Sequence, residues 1–183
     1  MSKNICGDCT LCCKLPPIFN ENEDKSLDYN NPFKKFGEWC VNCSTRKACD
    51  IYENRPNVCR EFNCLYVQSV LQNDPMDDAW HPRVANFFVT IENQQRLKER
   101  QISIYINPER HYDIFTKKPY MFAIKNWLDE NWMLIVNAGT KVYAYKNIEG
   151  RYFELKFPEP FVFGKRNITY PDPTQEIFFG RKQ

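Results

Sequence analysis

Apolar residues follow a regular pattern only in the later part of this chain. "VANFFVTI" (84–91) and "ISIYI" (102–106) are β-branched and aromatic with partial alternation, which predicts strands. "MLIVNAGTKVYAY" (133–145) predicts a hairpin with Gly139 in its turn, and "YFELKF" (152–157) a further strand. Between them, "KKPYMFAIKNWLDENW" carries Met121, Ile124 and Leu128 at helical spacing, and Pro119 suits a first turn. Residues 158–183 hold four prolines and read as an irregular tail laid over the sheet. Asp129 and Glu130, beside Trp127 and Trp132, read as a helix end with solvated acids.

The first 66 residues show no such period. Residues 14–39 are rich in Asn, Asp, Pro and Lys and read as a long exposed loop. A loop of that length needs an anchor at each end. The expected fold is therefore α+β: an irregular cysteine-rich metal-cluster region, then a small, mostly antiparallel sheet with one main helix. The boundaries expected are 1–66 for the cysteine-rich region and 67–183 for the α+β region with its irregular tail, the two packed as one unit.

Composition changes this picture through one residue type. All nine cysteines of the 183-residue chain lie between residues 6 and 64. The start, "MSKNICGDC", lacks the basic flank and apolar run of a secretory signal, and no eighteen-residue apolar stretch predicts a membrane span. The expected compartment is cytoplasmic, where thiols stay reduced. An odd count of nine also speaks against a closed disulfide framework. Reduced, clustered thiols point to metal. Charge is balanced, 9 basic against 9 acidic residues up to residue 66 and 16 against 14 beyond. Neither part has the basic excess of a module that grips nucleic acid through phosphates. The partners expected are metal ions and a protein.

Spacing says how the thiols can converge. In "CGDCTLCC" (6–13), a helix over 9–13 would bring Cys6, Cys9, Cys12 and Cys13 within about 120° of one face. Cys40 and Cys43 are spaced to curl around one ion, with Cys49 following. Pro56 restricts Arg55 to extended backbone and can start a helix, with Cys59 in its first turns and Cys64 near its end. Two four-thiolate zinc sites, one three-metal cluster, or one iron–sulfur cluster with five thiols to spare all satisfy this spacing. Lys3, Lys14, Arg46, Lys47, Arg55 and Arg60 are close in sequence and would hold sulfur negative. His81 and His111 read as surface or supporting residues, given the nine thiols.

The motifs "CGDCTLCC" and "CDIYENRPNVCREFNC" resemble the YkgJ-like cysteine cluster family, CxxCxxCC proteins described as chelating zinc or iron. "WCVNC" is similar to one branch of small bacterial members. The resemblance covers residues 6–66 and implies metal ligation by Cys6, Cys9, Cys12, Cys13, Cys40, Cys43, Cys49, Cys59 and Cys64. Around them, Tyr52 and Phe62 would pack and exclude water, and the rigid guanidinium forks of Arg55 and Arg60 would hold carbonyls or a carboxylate. Some relatives are joined to proteins similar to flagellin lysine methylases. Here no glycine-rich strand-to-helix turn of a methyl-donor nucleotide fold occurs. Three functions fit: a protein that chelates zinc or iron through the nine-cysteine cluster, whether mononuclear, multinuclear or iron–sulfur; an oxygen-sensitive iron–sulfur enzyme of redox or protein-modification chemistry; and a zinc-built module that binds protein or RNA.

Overall fold

A computed structural model describes residues 5–21, 27–44, 48–92, 100–107, 113–139, 141–155 and 173–176. The chain divides into two compact units, Met1–Phe88 and Val89–Gln183.

The first unit is built of short pieces. A single helical turn, α1 (Leu11–Lys14), leads into an antiparallel pair, β1 (Ile18–Glu21) and β2 (Leu27–Lys34). The long loop expected over 14–39 is therefore largely this hairpin, though residues 22–26 lie outside the described set. Its turn-forming composition is real, and the pairing is correspondingly irregular. Phe19 faces Pro32, which has no N–H to give, and the register shifts on both sides of that pair. Next come a 3₁₀ turn (Tyr52–Asn54), α2 (Asn57–Glu61), α3 (Leu65–Leu71), a second 3₁₀ turn (Asp78–Trp80) and α4 (Pro82–Ala85). Asp77 caps the second 3₁₀ turn by accepting from the Ala79 N–H at 2.7 Å. Asn86, with φ 58°, ends α4 in the left-handed conformation. Leu15, Trp80, Ala85, Phe87 and Phe88 are buried. Trp80 meets Phe87, and Phe62 meets Phe88, both edge to face, the latter at 5.6 Å. Phe62 is half-buried and packs against this core.

In the second unit the predicted strands appear as a sheet ordered β3-β4-β5-β6-β7-β8, whose first strand starts at Phe87 in the first unit. The strands are Phe87–Glu92, Gln101–Ile106, Met133–Ala138, Lys141–Ile148, Arg151–Leu155 and Pro173–Glu176. β4 and β5 pair in parallel, Gln101 facing Met133 and Tyr105 facing Asn137. A parallel pair needs a crossover, and the ten-residue helix α5 (Tyr120–Asp129) lies in that connection. Tyr120, Ile124 and Leu128 are its buried face, and Met121 is half-buried. Ile124 and Leu128 are at most 1% exposed, a burial worth roughly 1.5–3 kcal/mol each. β5–β6, β6–β7 and β7–β8 are antiparallel. Gly139, at φ 73°, sits in the β5–β6 turn as expected. Glu149 and Gly150, both at positive φ, make the two-residue β6–β7 turn, and Asn147 Oδ1 accepts from the Gly150 N–H at 2.9 Å. Of the tail expected over 158–183, only Pro173–Glu176 lies among the described residues, and it is an edge strand with proline at its first position.

The Asp129 end of α5 is tied to the β6–β7 hairpin. Its carboxylate accepts from Lys125 Nζ (2.6 Å), Tyr152 Oη (2.5 Å) and Asn147 Nδ2 (2.8 Å). Burial pushes the Asp129 pKa up, but these donors outweigh it and hold the group below its ordinary value. The acid read as solvated is a clamp.

Candidate metal centre

The opening cysteines lie on two turns rather than one helix. Cys9 donates its N–H to the Cys6 carbonyl at 2.9 Å, a turn that runs through Gly7 at φ 54°. Cys13 donates to Thr10 at 2.9 Å, and α1 then carries Cys12 and Cys13. The common helical face expected for residues 9–13 is thus split at Thr10.

The second group is bonded directly to the first. The Cys40 N–H donates to the Cys13 carbonyl at 2.9 Å. Cys43 donates to Cys40 at 3.0 Å, closing the expected two-residue curl. Asp50, next to Cys49, is held there by two bonds: its N–H to Asn42 at 2.8 Å and its Oδ2 from the Ser44 N–H at 2.9 Å. Arg55 is extended ahead of Pro56, as expected, and Cys59 sits in the first turns of α2. Cys64 departs from expectation. α2 stops at Glu61, and Cys64 is the N-cap of a new helix, α3.

All nine cysteines are free thiols, with Cys43 and Cys64 buried and the other seven half-buried. Cys13 is bonded through its thiol to Cys12 and Cys43. Electrostatic coupling joins Cys6 to Cys64 and Cys13, Cys9 to Cys6, Cys64 and Cys13, and Cys43 to Cys13 and Cys40. Cys59 is coupled to Cys40, Cys13 and Cys49. Thiols from all the cysteine segments thus act electrostatically on one another, Cys13 on Cys6, Cys9, Cys43 and Cys59.

Burial sets the protonation of this group. It pushes Cys9 and Cys43 up to about 11, and raises Cys6, Cys59 and Cys64 against the pull of Arg55 on the first two and of the Tyr66 and Val67 N–H groups on Cys64. Cys13 is raised most, first by its bond to Cys12 and then by burial. These sulfurs thus hold their protons at neutral pH, and metal must displace them.

The cations are placed unequally. Arg55 lies over the Tyr52 ring at 3.8 Å and donates Nε to the Tyr52 carbonyl at 2.9 Å. Arg60 donates Nε to the Arg55 carbonyl at 2.6 Å, so the two arginines and Tyr52 brace the turn between Cys49 and Cys59. Lys14 is buried, with its ammonium 5.7 Å from the centre of the Trp39 ring. Lys3, Arg46, Lys47 and His111 lie outside the described residues. His81 accepts from the Arg83 N–H at Nδ1 (3.2 Å) and meets the Tyr66 ring at 4.9 Å. It caps α4, a supporting role.

Lys34 was missed by sequence reasoning, which placed it in the exposed loop. It is buried at the end of β2, and burial lowers its pKa to about 8, against the pull of Cys40, Cys13 and Cys12. The only sequence signal is a lysine pair between two phenylalanines six residues before Cys40.

Among the described residues, no three Cys, His, Asp or Glu side chains stand at metal-holding separations. The donor chemistry nevertheless fits a thiophilic ion: soft sulfur from several segments, with cations beside it. Residues 5–83 match the family model CxxCxxCC, "Putative zinc- or iron-chelating domain". No curated protein and no solved structure matches the chain. No helix among the described residues is long and apolar enough to cross a membrane.

Proposed function

We propose, from the premise that residues 5–83 of this chain belong to the CxxCxxCC family, that the protein binds zinc or iron in a single polynuclear centre. Its ligands would be drawn from Cys6, Cys9, Cys12, Cys13, Cys40, Cys43, Cys49, Cys59 and Cys64. The observation that carries the reading is the backbone bond of Cys40 to Cys13, which joins the first two cysteine groups, together with thiols that raise one another's pKa across all the cysteine segments. A shared centre needs thiolates that serve two ions, and Cys13 is the residue for that role.

Membership of the YkgJ-like cysteine cluster family and a cytoplasmic setting belong to this proposal, since free thiols at this density call for a reducing compartment. Bound here, zinc would supply a structural cross-link, and an iron–sulfur cluster would supply electron transfer. The chain's own part is to bring four short segments together and to exclude water with Tyr52 and Phe62. Arg55 faces Cys6 and Cys59 with positive charge.

Elemental analysis and a visible spectrum of protein purified without air or added metal test this. More than one zinc or iron per chain is expected. A broad band that bleaches on reduction assigns an iron–sulfur cluster, and colourless protein holding zinc assigns the structural form. One ion per chain sinks the polynuclear centre. No metal, even after reconstitution with zinc or with iron and sulfide, sinks chelation itself.

A further inference from the structure

Lys34 ends β2 and is 4% exposed. Its Nζ donates to three backbone carbonyls: Lys14 at 3.0 Å, Glu38 at 3.1 Å and Lys35 at 3.3 Å. A neutral amine has two hydrogens, so three acceptors around one nitrogen call for the ammonium form. The charge is thereby locked in place by neutral groups.

Its position is specific. The Lys14 carbonyl closes α1 directly after Cys12 and Cys13, and residues 35–38 lead to Cys40. Cys40 in turn bonds the Cys13 carbonyl, and Gly37 bonds that of Leu15 at 3.1 Å. Lys34 therefore sits where the first and second cysteine groups join. The titratable groups that face it are Cys40, Cys13, Cys12 and Glu38.

We propose that Lys34 is a positioning residue and built-in counter-charge for the sulfurs of Cys12, Cys13 and Cys40, fitting this centre to an anionic metal–thiolate cluster. The inference rests on the chelation reading above. A centre with more thiolates than its divalent ions neutralise carries net negative charge, and a fixed ammonium at the junction of Cys12, Cys13 and Cys40 favours that charge over the protonated thiols.

The test uses the full chain and cobalt(II) as probe, with zinc competition for affinity. Lys34→Gln keeps N–H donors for the carbonyls and loses the charge, and Lys34→Arg keeps the charge. Lys34→Gln is expected to bind cobalt about tenfold more weakly at pH 7, the equivalent of one unit of pKa. Its half-saturation should move to higher pH while the sulfur-to-cobalt band per bound ion stays unchanged. Lys34→Arg should restore both affinity and pH profile. Wild-type affinity and pH profile in folded Lys34→Gln would overturn the proposal and leave chelation standing. A wild-type chain that takes up no cobalt or zinc would remove chelation, and this inference with it. If Lys34→Gln does not fold, Lys34→Arg decides: wild-type binding supports the counter-charge, and a tenfold loss in folded protein overturns it.

Discussion

At the scale of single residues, the thiols are not equivalent. Cys13 acts electrostatically on Cys6, Cys9, Cys43 and Cys59 and its carbonyl accepts the Cys40 N–H, whereas Cys49 lies beyond that junction, next to Asp50. Cys13→Ser should therefore lose most of the bound metal, and Cys49→Ser should retain most of it, as read by elemental analysis. Protonation makes a second prediction. In metal-stripped protein, Cys9 and Cys43 are raised from 9.0 to about 11, so they favour the fold fully below pH 9 and lose that effect as pH rises through 11. Lys34, lowered from 10.5 to about 8, acts oppositely: its burial opposes folding below about pH 8, and that cost fades toward 10.5. Six raised thiols oppose one lysine. Circular dichroism should thus show stripped protein losing first-unit structure between pH 9 and 11. Loaded protein should lose it on acidification instead, as protons compete for sulfur.

At the scale of elements, the strongly patterned segments were legible and the cysteine-bearing ones were only half so. α5 was readable because Ile124 and Leu128 recur at four residues and Pro119 precedes them. Leu128→Ala should cost about 2–5 kcal/mol in urea unfolding, the range for a cavity in a packed core. The Asp129 clamp was not readable, because its partners Asn147 and Tyr152 lie on a distant hairpin. Asp129→Ala should cost about 1 kcal/mol, modest because the group is partly exposed. That contribution is present above the ordinary aspartate pKa and fades as pH falls below it. The β1–β2 hairpin was hidden for another reason. Backbone pairing forms it despite Asn, Asp and Pro, so composition gave the wrong answer and with it misplaced Lys34. Cys64 was assigned to one continuous helix because nothing local marks the break after Glu61. Its own role as an N-cap depends on α3 beginning at Leu65.

At the scale of the whole molecule, the family match over 5–83 falls inside the first compact unit, Met1–Phe88. The first unit has short helices and a small hairpin, which leaves much of its ordering to the cysteine group, while the second has a six-stranded sheet and α5. Chelator treatment of the full chain should raise amide hydrogen exchange across residues 5–83 and leave β4, β5 and β6 protected, which mass spectrometry of peptides would read directly. The clustering of cysteine before residue 65 marked the candidate site's place in the chain; how its segments meet, through Cys40 on Cys13 and Lys34 on Lys14, could come only from coordinates. That clustering has a consequence in time as well as in space. All nine thiols are synthesised by Cys64, and 119 residues are still to be added. At roughly 5–20 residues per second, the ribosome needs about 6–24 s to add them. The full donor set thus exists before the sheet does, so metal can be taken up while the rest of the chain is still being made.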